Sequence, residues 1–124
     1  MFMFNTKKKK IQKYLSNKQN ISTAFDLLLT DYLSGALKTN LMSLGIIKYE
    51  IHIDWLKNIK CINIQGKYNN YYINIQIDIN EFSIAHDLDE ADDDYIYPLE
   101  SKEFFYNKLT ELINYINNNK NITN

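Results

Sequence analysis

Six of the eight residues from Asp87 to Asp94 are acidic, and Tyr95 and Tyr97 follow them directly. Carboxylates this dense either hold a cation or face a basic surface. A calcium loop would read Asp87, Asp89 and Asp92 onto its positions 1, 3 and 6. Such a loop needs glycine at its sixth position and a bidentate glutamate at its twelfth. Here those positions hold Asp92 and Pro98, so no metal site is expected. A dock for a basic surface fits the residues better. Charge steers the encounter, and tyrosine adds buried area and a hydrogen bond. The candidate partner-binding residues are Asp87, Asp89, Glu90, Asp92, Asp93, Asp94, Tyr95 and Tyr97. The bland alternative is a solvated loop that keeps the chain soluble. Two features favour the dock: the run sits between expected strands, and the aromatics adjoin it.

The remaining reactive groups form no recognisable site. His52 lies between Glu50 and Asp54 in alternation, and His86 precedes Asp87. Such pairs can do acid–base work, and two histidines with an aspartate can bind zinc. Neither spacing matches a ligand or triad pattern, and surface histidines on strands are the commoner case. A hydrolase or nuclease using these two histidines is therefore the weakest of the readings considered. Cys61 has no histidine near it in sequence, and no serine lies in a nucleophile-elbow context. The three glycines are isolated, so no phosphate-cradling loop exists. With no catalytic or cofactor motif, neither an enzyme nor a cofactor is expected.

The charge balance narrows the partners. The net charge of −1 hides a division along the chain. Residues 1–60 carry ten lysines against four acids, and residues 61–124 carry four lysines against eleven. Residues 78–103 alone carry a net −9. A field this one-sided attracts a basic partner and repels nucleic acid and anionic membrane. The chain contains no arginine, the usual bidentate reader of phosphate and guanine edges. No nucleic-acid partner and no membrane partner are expected. The run Lys7–Lys10 lacks interleaved aromatics and reads as a solvated helix start. No apolar run approaches the roughly 20 residues of a membrane span. None follows the basic run as a signal peptide would require. With a single cysteine, the chain is expected in a reducing cytoplasm.

The length of 124 residues suits one domain, with residues 1–6 and 118–124 expected as loose ends. Ile11, Tyr14 and Leu15 suggest a helix over about 6–18. Phe25, Leu28, Leu29, Tyr32, Leu33, Ala36 and Leu37 share one face of a longer helix. Thr23 caps its start, and Gly45 ends it. The period then changes to two. Ile47, Tyr49, Ile51, Ile53 and Trp55 predict one inward face, and residues 59–65 a weaker strand. Gly66 to Asn70 read as turn, and Tyr71 to Ile79 as the strongest strand. A parity flip near Asn80-Glu81 starts a fourth strand at 82–86. Tyr95-Ile96-Tyr97 could add an edge strand, which Pro98 suits. Ser101 caps a last helix with Phe105, Leu109, Leu112, Ile113 and Ile116 on its apolar face. The expected class is α+β: N-terminal helices, an antiparallel β-meander of three to five strands and a C-terminal helix.

In type, the chain resembles the immunity proteins of bacterial toxin–immunity systems, including those of contact-dependent growth inhibition. The resemblance rests on the small α+β domain, the residue bias of an AT-rich gene, and the acidic, aromatic-flanked segment Asp87 to Tyr97. It also rests on the run from Tyr95 through Phe105 into the last helix. It implies a stoichiometric cytoplasmic inhibitor that binds a cognate toxin domain with a basic surface, such as a nuclease. The alternative weighed beside it is a small acidic chaperone for a secreted effector. Such a chaperone needs large apolar patches, whereas the alternate positions of these strands are polar.

Overall fold

The computed structural model describes residues 2–17, 23–55, 59–86 and 95–122. The described residues form four helices: α1 (Phe2–Ser16), α2 (Ala24–Ser34), α3 (Ala36–Ser43) and α4 (Lys102–Ile122). They also form five strands: β1 (Ile46–Trp55), β2 (Ile59–Tyr68), β3 (Tyr71–Ile77), β4 (Glu81–His86) and β5 (Tyr95–Pro98). The strands form one antiparallel sheet in the order β1-β2-β3-β4-β5. The protein is thus an α+β meander, and Tyr95-Ile96-Tyr97 joins the sheet. The terminal helices run through parts of both segments expected as loose ends. No helix among the described residues is long and apolar enough to cross a membrane.

The helical periodicity is realised in packing. Phe25, Leu28, Leu29 and Leu37 are buried, with Tyr32 and Leu33 packed at the edge of the core. Thr23 Oγ1 accepts from the Asp26 backbone N–H at 3.2 Å, capping α2 as expected. The single long helix expected over this stretch is divided. Gly35 sits at φ +89°, so the chain turns a corner between α2 and α3. Only glycine takes that conformation without steric cost. A periodicity argument cannot see such a break, because the apolar spacing continues across it. In α4, Ser101 Oγ accepts from the Phe104 N–H at 2.9 Å. The five predicted core positions of α4, from Phe105 to Ile116, are all buried.

In the sheet, Ile62, Ile64, Ile73, Ile75 and Ile77 face the helices and are buried. Full burial of each such side chain is worth about 1.5–3 kcal/mol, which is why the alternation is so regular. The other face carries Glu50, His52, Asp54, Gln65, Tyr72, Asn74 and Gln76, all exposed. Three expectations need correction. Ile46, not Ile47, enters the core from the start of β1, and Ile47 is 49% exposed. The cause is a bulge in which Lys48 and Tyr49 together oppose Gly66. Lys48 takes φ +54°, and the side-chain parity shifts across it. Gly66 is accordingly not a turn residue but a strand residue under that bulge. A Cβ there would lie 2.8 Å from Ile46 Cγ2 and 3.3 Å from Tyr49 Cβ. The turn itself is Asn69-Asn70, with Asn69 at φ +53°. Finally, Ile79 is exposed, because β3 ends at Ile77. Asp78 Oδ1 there accepts from the N–H groups of Asn80 and Glu81 and starts the turn early.

The helix layer is tied to itself by polar contacts between distant residues. Asp31, 8% exposed, accepts from Lys102 Nζ at 3.3 Å and from the Tyr106 hydroxyl at 2.9 Å. Tyr14 donates to the buried Asp26 at 3.2 Å, joining α1 to α2. The Tyr68 hydroxyl donates to Asn117 Oδ1 at 2.8 Å, pinning α4 to the end of β2.

Candidate functional site: an aromatic cleft between the sheet edge and the last helix

Tyr95 and Tyr97 are two residues apart on β5, so both rings stand on one face of the sheet. The register pairs Tyr95 with Ile84 and Tyr97 with Phe82, which places them on the helix-facing side. There α4 brings Lys108, Glu111 and Tyr115 along one stripe at helical spacing. Together these groups line an open cleft of about 190 Å3 between the β4–β5 edge and α4. His86 closes one side. Its ring lies parallel to Tyr95, with centroids 5.8 Å apart at 16°, and 6.3 Å from the ring of Tyr115.

The floor and rim of the cleft differ in polarity. Tyr97 is anchored against Phe82 at 5.3 Å and Phe104 at 6.4 Å. Lys108 Nζ lies 5.0 Å from the centre of the Tyr97 ring and 5.4 Å from that of Phe104. It also pairs with Glu111 Oε2 at 3.2 Å. The ammonium therefore sits on aromatic faces while its partner carboxylate stays in solvent. Tyr95 is less anchored and 45% exposed, with its ring at the mouth of the cleft. Such a surface can take up a side chain from a partner by ring contact and hydrogen bonding. It offers no activated nucleophile, and no group of three or more metal-ligating side chains occurs among the described residues.

Of the sequence candidates, Tyr95 and Tyr97 are thus brought together with His86. Asp87, Asp89, Glu90, Asp92, Asp93 and Asp94 lie outside the described residues. Tyr115, Lys108 and Glu111 were not anticipated as site residues. Their common stripe on the last helix is visible in the sequence, but its position against β5 is not. The structure separates the two histidines. His52 is on the polar face of β1, with Nε2 3.2 Å from Glu50 Oε2. His86 is on the opposite face of β4, three strand spacings or about 14 Å away across the sheet. They share no acid–base or zinc site.

Cys61 is buried on the polar-face side and donates its thiol to Asp54 Oδ2 at 3.2 Å. Burial pushes the thiol up to about 11, and the hydrogen bond and charge of Asp54 add to the shift. Alkylation of Cys61 at pH 8 is expected to lag that of the urea-unfolded chain by about a hundredfold, from the smaller thiolate fraction. Equal rates would mean that β2 opens freely. The same groups set the alkaline limit of the fold. Cys61, Tyr32, Tyr49 and Tyr106 all hold their protons more tightly when folded, chiefly through burial. Their contribution is complete at neutral pH and is lost as pH rises above about 9, where the unfolded chain ionises first.

No family model, curated protein or solved structure matches this chain. The fold and the cleft define a small α+β domain with an aromatic surface suited to binding.

Proposed function

We propose that this protein is a toxin-neutralising immunity protein. It binds a basic surface of a cognate bacterial toxin domain in the cytoplasm through residues 87–97. The observation that carries this reading is the place of Tyr95. It follows the acidic run directly in sequence and stands, half exposed, at the mouth of an open aromatic cleft. Charge that draws in a basic partner is therefore adjacent in sequence to rings that can hold it. The acidic side chains steer the encounter, and Tyr95 and Tyr97 supply contact area once the partner arrives.

The test is co-expression with the product of the adjacent upstream gene, co-purification, and a salt titration of the association rate. A one-to-one complex is expected, with an on-rate that falls as salt rises. Replacing Asp92, Asp93 and Asp94 by Asn should slow association about tenfold. Tyr95→Ala should instead speed dissociation, weakening the complex by about 2 kcal/mol. A complex indifferent to both changes would move the site elsewhere on the protein. No complex in low salt, with self-association and binding to unfolded segments instead, would favour the chaperone.

A further inference from the structure

The sheet has a second edge, at β1, four strand spacings or about 19 Å from β5. Beside it lies a groove of about 680 Å3, against about 190 Å3 for the aromatic cleft. One wall is β1 from Ile47 to Ile51, and the other is the corner where α2 meets α3. Tyr49 and Ile51 are only half-buried by the helices, and Leu33 faces them from the other wall. Three lysines from three separate elements line the rim: Lys8, Lys38 and Lys48. All three are exposed, and no carboxylate lines the groove among the described residues. Two acids adjoin lining residues in sequence: Glu50 belongs to the opposite, polar face of the sheet by alternation, and Asp31 is turned to Lys102 and Tyr106.

From this charge and shape we infer that the groove is a docking surface for an extended protein segment that alternates acidic and apolar side chains. Every second residue of an edge strand turns its N–H and C=O away from its neighbour. No backbone hydrogen bond joins β1 to any element but β2 among the described residues. An incoming strand can pair with that row, turning its acidic side chains into the groove among the lysines and its alternate apolar ones to the opposite face, so that no acidic side chain meets Glu50 or Asp54. The bulge at Lys48 limits pairing to the stretch beyond it and sets Lys48 at one end of the docked strand. A nucleic acid cannot match main-chain groups repeating at strand spacing, and a flat lipid surface cannot enter a groove.

The probe is a blocked, fluorescein-labelled heptapeptide, Glu-Val-Glu-Val-Glu-Val-Glu, titrated against the full chain at low salt. Saturable binding is expected, with amide shifts confined to β1 residues 47–53 and to the α2–α3 corner. The double change Lys38→Glu with Lys48→Glu is expected to weaken binding about tenfold or more. Replacing the peptide's glutamates by lysines should abolish it. Equal affinity in the double variant, or shifts on β5 and α4, would overturn the inference. So would displacement of the peptide by oligothymidylate or phosphatidylglycerol vesicles, which would identify a nucleic acid or a membrane as the occupant. Self-association through residues 47–53 in sedimentation would overturn it in favour of a second copy. The Asn variants at Asp92, Asp93 and Asp94 should leave peptide binding unchanged, so this inference and the proposed function fail separately.

Discussion

Replacing Phe82 by Ala is expected to lower the unfolding free energy by about 3–5 kcal/mol, the range for a large aromatic removed from a packed core. Phe82 is 1% exposed and stands where three elements meet. Its ring lies 5.1 Å from Phe105, 5.3 Å from Tyr97 and 6.1 Å from Phe104. Phe105 and Phe104 meet it edge-on, the arrangement that the ring quadrupoles favour. Truncation removes all three contacts and leaves a void that helix α4 cannot close without leaving its other contacts. Urea unfolding measures the loss as a lower midpoint at constant slope. Phe82→Leu should cost clearly less, because most of the volume remains. A loss below about 1 kcal/mol for the Ala variant would mean that the sheet and α4 are not packed as described. The change should also loosen Tyr97, which packs on the Phe82 ring in the wall of the aromatic cleft.

Removal of the Asp31 carboxylate should be nearly as damaging. Asp31→Ala is expected to cost about 3 kcal/mol, because it breaks a largely buried ion pair and a hydrogen bond together. Lys102 Nζ, whose side chain is 29% exposed, loses its carboxylate at 3.3 Å. The Tyr106 hydroxyl loses the acceptor at 2.9 Å. The groups left behind carry most of the cost, since each keeps its burial without its partner. Asp31→Asn keeps an acceptor for Tyr106 but not the charge, so it should fall between the parent and the Ala variant. A spectroscopic readout separates this from simple loss of packing. Burial is the main cause of the raised Tyr106 ionisation, and Asp31 adds to it. In the Asp31→Ala variant Tyr106 should therefore ionise at lower pH than in the parent, while remaining above the unfolded value. A stability change within about 0.5 kcal/mol would show that the contact is a surface pair of little weight.

The parts of this fold that were legible in the sequence are those written in side-chain period. Isoleucines at every second position of β3 allow one register against a buried face. The apolar stripe of α4 and its Ser101 cap likewise allow one helix start. What escaped were events that leave the period intact or shift it by one. Gly35 breaks a helix whose apolar spacing continues across the corner. The Lys48 bulge exchanges Ile47 for Ile46 in the core, and its partner Gly66 lies eighteen residues further along the chain. The aromatic cleft was legible in Tyr95 and Tyr97, which adjoin the acidic run, but not in Tyr115 or Lys108. Those come from an element whose angle against β5 is set by tertiary packing around Phe82. The lysine-rimmed groove was illegible for the same reason. Lys8, Lys38 and Lys48 are far apart in sequence and meet only because the α2–α3 corner faces the β1 edge.

The meander has a consequence for how the chain reaches this state. Each strand pairs only with its neighbours in sequence, and the tightest link, Asn69-Asn70, joins Tyr68 to Tyr71. Hairpins of this kind close in about 1–10 μs, and each gives the next strand a template. The sheet can therefore zip outward from β2 and β3 with little loop entropy lost at any step. The expensive closure is the one that brings the first helices back onto α4, across the sequence separation of 71 from Asp31 to Lys102. Those contacts should form after the rate-limiting barrier. Weakening them should then hasten unfolding far more than it slows folding.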